Sequence, residues 1–310
     1  PLGLNGNWRR SQRLFRRKTN GDGAMRSTGG VAESTWEIAP VRANIWSKVS
    51  ETWRYRKILL FFAARNLKRM YQGTVLGKFW LFRPIIPVLI GSLIFGTLLG
   101  VPSDGVPYFM FFLTGMAVWM LFEQSCMWGT RSLDMNKGLV KKVYFPRLVI
   151  PASGMAPATL YFTIFAILIL IATGYYLVKD GVMYLNLGVG LFWGLFVALM
   201  SVTFAMSISF FTSVWCVRAR DVRFTMRYIL RFWSYLTPVM YPLSVVPEEY
   251  RGWMLLNPMA GYVETFKWGV LGIGELNWTF LGSSLGTTAI MFSLGLWYYV
   301  RQEALAVDKM

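Results

Sequence analysis

The chain is 310 residues long, 55% hydrophobic and 17% aromatic, with 15% charged residues and a mean hydropathy of +0.43. A soluble domain carries about a quarter charged residues, so this composition excludes an ordinary soluble enzyme, and length here counts membrane spans. The formal net charge of +17 gathers before Arg83 and in two short loops, and the absence of histidine removes the commonest general base and metal ligand.

Residues 1–45 are polar and hold the basic cluster WRRSQRLFRRK from Trp8 to Lys18. Such an arm cannot bury enough apolar surface to fold alone, and we expect a disordered, solvated basic cytoplasmic arm, with contact to anionic lipid head groups as the alternative ahead of nucleic acid. Residues 46–78 are expected to form an amphipathic helix, lying in the membrane interface or packed as an ordinary helix on a partner. Its apolar stripe runs through Trp53, Leu60, Ala64, Leu67 and Tyr71, with Arg54, Arg65 and Arg69 away from it.

Six windows from 79 to 310 are apolar enough to span a bilayer, about 81–100, 107–129, 150–178, 183–214, 228–246 and 279–300. The loops at 130–149 and 215–227 carry Arg131, Lys137, Lys141, Lys142, Arg147 and Arg218, Arg220, Arg223, Arg227. Lysine and arginine mark cytoplasmic loops, so both termini are expected in the cytoplasm. Pairs Gly96/Gly100, Gly190/Gly194 and Gly282/Gly286 have the spacing of close helix contacts. Two ionisable residues fall inside spans, Glu123 in the second and Arg231 in the fifth. Intramembrane charges pair or face water, and we expect these two to pair or to line one inner vestibule.

The stretch from Ser234 to Gly274 has membrane composition but is broken by Pro238, Pro242, Pro247 and Pro258 and charged by Glu248, Glu249, Arg251, Glu264 and Lys267. Broken backbone at membrane depth is tolerated where protein or a watery cavity supplies the missing hydrogen bonds. From about 247 to 274 there is room for one full span or for two half-helices joined at Asn257 and Pro258; the Asn-Pro break and the charged Glu264 and Lys267 favour a re-entrant outer hairpin, with Pro238, Pro242, Asn257, Pro258 and Glu264 as its gate residues.

Motifs for chemistry on this chain fail. GTVLGKF (Gly73 to Phe79) has three residues between its glycines and Phe after the lysine, where a phosphate loop needs four and a Ser or Thr. Cys126 and Cys216 lack metal or redox spacing, and no carboxylate pair is placed for acid–base work. No metal, cofactor or catalytic residue is expected on the chain, and transport is favoured over catalysis.

Four blocks then become recognisable. GTVLGKFWLFRP (Gly73 to Pro84), KKVYFPRLVIP (Lys141 to Pro151), RARDV (Arg218 to Val222) and TPVMYP (Thr237 to Pro242), the last followed by VPEEYR and LNPM, stand in the chain in that order. They resemble the ABC-2 permeases that export polysaccharides and polyol phosphates, the O-antigen, capsule and teichoic-acid family. The resemblance implies an all-α, six-span permease in the bacterial inner membrane. It implies a homodimer working with two copies of a separate nucleotide-binding subunit that holds ATP and Mg, and a lipid-diphosphate-linked glycan entering between the first and fifth spans. It further implies that Leu133, Asp134, Asn136, Lys137 and Lys141 lie near the ATPase, with Arg218, Arg220 and Asp221 as a second contact.

A glycan offers apolar sugar faces and its diphosphate is anionic. Trp80, Phe95, Trp119, Phe122, Trp233 and Tyr235 are therefore candidates for the channel lining, and Arg54, Arg56, Lys57, Arg65, Lys68 and Arg69 for the diphosphate entrance. The competing readings are an ABC-2 exporter of a small lipid, drug or lipo-oligosaccharide, and a membrane glycosyltransferase or acyltransferase.

Overall fold

The structure, a computed structural model, describes residues 45–71, 84–140 and 145–308. The described residues are helical, with no strand among them. In chain order the helices are α1 (Ile45–Arg54), α2 (Arg56–Tyr71), α3 (Ile85–Gly91, continuing as a π-helix over Ser92–Leu98), α4 (Tyr108–Met135), α5 (Lys137–Val140) and α6 (Val149–Ser153). There follow α7 (Ala156–Asp180), α8 (Val189–Arg218), α9 (Val222–Leu236), α10 (Glu248–Met254), α11 (Pro258–Leu271) and α12 (Trp278–Asp308). The basic arm, Trp80 and Lys141 lie outside the described residues.

Four segments are long and apolar enough to cross a membrane: Tyr108–Met135, Val149–Asp180, Val189–Arg218 and Trp278–Gln302. The first and fifth sequence windows give shorter helices. Ile85–Leu98 is a 14-residue apolar run that begins after Pro84. Helix α9 has 15 residues, roughly 22 Å at 1.5 Å per residue, and ends at Leu236 where Thr237 turns extended before Pro238.

Helix α4 is the axis. It is apolar around its whole circumference, as a buried helix must be, and packs against α3, α6, α7, α8, α9 and α11. Its 28 residues carry it past the apolar window, so that the cytoplasmic loop anticipated from 130 begins only at Asn136. Helix α7 starts with Pro157 in its first turn and stops at Gly181, whose φ of 69° closes the last turn through its N–H to Leu177 O. That left-handed cap is a conformation glycine adopts at little cost.

The glycine pairs divide. Gly190 and Gly194 of α8 meet Gly269 of α11, where a methyl group would collide with Gly190 O. Gly96 backs onto the Tyr108 ring, its would-be Cβ only 2.7 Å from Cδ1. Gly100, Gly282 and Gly286 face open space, so their spacing records no close contact within this chain.

A second, smaller core lies at one end, where Phe62 of α2 joins Leu133, Val140, Phe145, Val149, Phe210 and Tyr299. The buried stripe of α2 is Phe62, Asn66 and Met70, spaced by four. Trp53 and Leu60, on the stripe anticipated from sequence, are exposed instead. Helix α2 thus presents apolar residues on both sides, because Asn66 can be buried by donating to Ser153 O at 3.2 Å.

Candidate functional site

The broken stretch after α9 is held from three sides. Helix α9 ends at Leu236 because Pro238 and Pro242 follow, and its last carbonyls have no partner within the helix. Asn257 supplies one. Its Nδ2 donates to Leu236 O at 3.2 Å and to Thr237 Oγ1 at 2.9 Å, while its Oδ1 accepts from Trp233 Nε1 at 3.0 Å. The same Oδ1 accepts from Met259 N at 3.1 Å, which makes Asn257 the N-cap of α11, with Pro258 in the first turn. Asparagine is a preferred cap and proline a preferred first residue. One side chain therefore starts α11 and captures the end of α9, with its donor and acceptor capacity in use.

Lys267 holds the second side. It is 1% exposed, and its Nζ donates to Pro238 O at 2.5 Å, lies 3.7 Å from the centre of the Phe111 ring and 3.5 Å from Glu264 Oε1. The carboxylate contact is electrostatic, since Glu264 Oε1 has no hydrogen-bond partner. A buried charge needs pairing and hydrogen bonds, and here a proline carbonyl, an aromatic face and one carboxylate provide them. Gly115 of α4 makes room: a Cβ there would lie 3.0 Å from Val239 O and 3.1 Å from Lys267 Cε.

Tyr108 supplies the third side, donating through its hydroxyl to Met240 O at 2.6 Å. Farther out, Arg251 Nε donates to Val246 O at 2.9 Å and Ser244 Oγ to Asp104 Oδ1 at 3.0 Å. The structure thus brings together Pro238, Pro242, Asn257, Pro258 and Glu264, with the three prolines buried. Sequence reasoning passed over Tyr108 and Gly115 and gave Lys267 no partner. The available signal was the i,i+3 pair of Glu264 and Lys267 in a mostly apolar helix.

The aromatic candidates separate. Trp119 and Phe122 are fully packed in the main core, where the Phe122 ring stacks on Phe204 at 5.5 Å, and they offer no face to a passage. Trp233 is half-buried, edge-on to Phe122 at 5.5 Å. Tyr235 is exposed and Phe95 half-buried. An open groove of about 620 Å³ runs along α9, lined by Thr225, Tyr228, Ile229, Phe232, Trp233 and Leu236. The anticipated pairing of Glu123 with Arg231 is not formed: Glu123 accepts from Trp119 Nε1 at 3.2 Å, and Arg231 is exposed on α9.

The cytoplasmic candidates divide as well. Asp134 pairs with Lys137 at 2.8 Å and reaches Arg223 at 3.9 Å. Leu133 and Asn136 are buried, so neither can touch a docked subunit in this arrangement. Arg218 donates to Gln302 Oε1 at 2.8 Å, beside exposed Arg220 and Asp221. Of the basic residues on α1 and α2, Arg54, Arg56, Lys57 and Lys68 are exposed. Arg65 and Arg69 instead turn inward, each donating through Nη1 to Asn136 Oδ1 at 3.4 Å. Burial and then the Arg65 charge lower the Arg69 pKa.

A bundle with four helices long and apolar enough to cross a membrane, a pinned break and a basic end defines a polytopic membrane protein. The ABC-2 type transporter family model matches residues 59–271, well over half the chain, and the chain belongs to that family. It is similar to the O-antigen export system permease protein RfbA of Myxococcus xanthus, 29% identical over 225 residues that cover 71% of this chain and 82% of that protein. It is also similar to a protein of the same name from Klebsiella pneumoniae, 26% identical over 242 residues, 77% of this chain and 89% of that one.

Proposed function

We propose that the chain is the membrane-spanning permease of an ABC exporter that moves a lipid-diphosphate-linked, O-antigen-like polysaccharide across the bacterial inner membrane. The observation that carries this reading is the likeness to O-antigen permeases over most of both chains. ATP is hydrolysed in a separate subunit with its own Mg, and the working assembly is two permeases with two such subunits.

Six spans follow if α3 with the residues before it, and α9 with its continuation to about 246, each cross alongside the four long helices. Helices α10 and α11 form a re-entrant hairpin between the fifth and sixth spans. Supporting this, α11 is buried along most of its length, as broken backbone at membrane depth requires. The distribution of charge supports cytoplasmic termini. Arg65, Arg69, Lys137, Arg218 and Arg223 gather at the end where α2 meets the exit of α4, and Asp104, Glu248 and Glu264 lie with the hairpin. Basic residues mark the cytoplasmic side. In this orientation the exposed apolar residues Leu60 and Phe61 of α2 meet lipid at the interface.

The groove on α9 gives the cargo a surface of aromatic faces, Tyr228, Phe232 and Trp233, with Tyr235 beside them, while Trp119 and Phe122 hold that helix in place from the core. The diphosphate is met by the outward cations Arg54, Arg56, Lys57 and Lys68. The test is to co-purify the chain with its ATPase subunit, reconstitute the complex, and add lipid-linked glycan. Stimulated ATP hydrolysis is expected, and a complex that forms but never responds to glycan would contradict the reading.

A further inference from the structure

The turn anticipated to contact the ATPase is tied to the N-terminal helix. Asn136 sits between the end of α4 and the start of α5, and it is 2% exposed. Its Nδ2 donates to Ser132 O at 2.8 Å, fixing the side chain, and its Oδ1 faces α2. There it accepts from both Arg65 and Arg69, while Arg69 Nη2 also reaches Met135 O at 3.4 Å. Two like charges four residues apart on a helix repel each other. Here both point at the carbonyl end of a 28-residue helix, where the macrodipole is negative. Helix α2 grips the far side of the turn as well: Asn66 donates to Ser153 O, and Phe62 packs on Phe145 with ring centres 5.3 Å apart.

We propose that Asn136 is a positioning residue that joins the turn at α5 to α2, so that a push on the turn moves the N-terminal helix with it as one body. Arg65 and Arg69 serve this joint and do not receive the anionic cargo. The inference rests on the permease reading only for the source of the push, an ATPase docked at the cytoplasmic turn. Packed elements move as units between discrete arrangements rather than deforming continuously, so a polar tie at one buried residue is enough to decide whether two helices travel together.

The experiment places spin labels at Lys68→Cys and Gly138→Cys, both exposed, while Cys126 and Cys216 are buried. The distance between labels is read in the full chain, alone and assembled with its ATPase, without nucleotide and with ATP trapped. The joint predicts one narrow distribution that shifts by less than about 2 Å between nucleotide states, the scale of a helix adjustment within a packed body. Asn136→Ala broadens it in both preparations. Asn136→Asp, which keeps an acceptor for both guanidinium groups but loses the donor to Ser132 O, narrows it again in part. The double variant Arg65→Gln/Arg69→Gln broadens it too, and it covers the case in which Asn136→Ala fails to fold. In proteoliposomes, Asn136→Ala lowers the glycan exported per ATP by about fivefold or more, the scale of a lost coupling between sites. A wild-type distance that changes with nucleotide beyond that limit, or variants indistinguishable from wild type, overturns the proposal. Absence of export by the wild type counts against the permease reading alone, because the distance measurement uses no cargo.

Discussion

Asn257 carries two jobs that usually fall to separate residues, capping α11 and closing α9. Losing an N-cap costs about 1 kcal/mol, and leaving a half-buried indole N–H and a helix-end carbonyl without partners costs about 1–3 kcal/mol more. Asn257→Ala should therefore lower stability by about 2–4 kcal/mol on these scales, measured as a loss of thermal midpoint in detergent. Asn257→Asp keeps the acceptor for Met259 N and Trp233 Nε1, and should recover part of the loss. Lys267 acts differently. Its ammonium offsets the cost of burial through the Pro238 carbonyl, the Phe111 ring and Glu264, so the break after α9 depends on groups drawn from α4, α11 and the loop between α9 and α10.

Close approach of backbones decides the packing at the scale of elements. Gly269 of α11 lies against Gly190 O of α8, and overpacking of such a contact costs about 1–3 kcal/mol. Gly269→Ala should destabilise the protein to that extent, whereas Gly282→Ala and Gly286→Ala, which meet nothing within 4 Å, should be near neutral or slightly stabilising. Thermal midpoints of the three variants check this, and equal losses at all three would show that the crossing is misassigned. The contrast also says what sequence can and cannot reveal. Continuous apolar runs made α4, α7, α8 and α12 legible, since nothing but a membrane or a buried core accepts so many such residues in a row. The end of α9 was legible in part: hydropathy continues to 246 and Pro238 and Pro242 mark the stop locally, but the spatial capture of Leu236 O and Pro238 O by Asn257 and Lys267 leaves no local signal. The two half-helices meeting at Asn257 and Pro258 were readable, because the cap and proline signals are local. The inward turn of Leu133 and Asn136 was not, because α4 keeps its register to Met135, past the point where its composition changes. In α2 the stripe from Trp53 to Tyr71 crosses the interruption at Tyr55, and the buried stripe includes a polar residue, Asn66, that no apolar pattern can include.

The two ends of the whole molecule are built in different ways. One end is basic and joined by guanidinium contacts to carbonyls and amides, through Arg65, Arg69, Arg218 and Asn136. The hairpin end is held by Asn257, Lys267 and Tyr108 around a proline-rich break. Between them α4 runs unbroken, with α9 packed on its side, so that motion at the basic end has a rigid axis along which to reach the pinned break. The central claim is export of a glycan whose lipid carrier enters from the cytoplasmic leaflet. It is tested most directly in proteoliposomes holding this chain and its ATPase, loaded with a radiolabelled lipid-linked glycan and probed by a membrane-impermeant glycosidase on the side opposite the ATPase. Label should be released by the glycosidase only when ATP is hydrolysed. Label that stays protected while ATP turns over, or that is released equally without ATP, would contradict it.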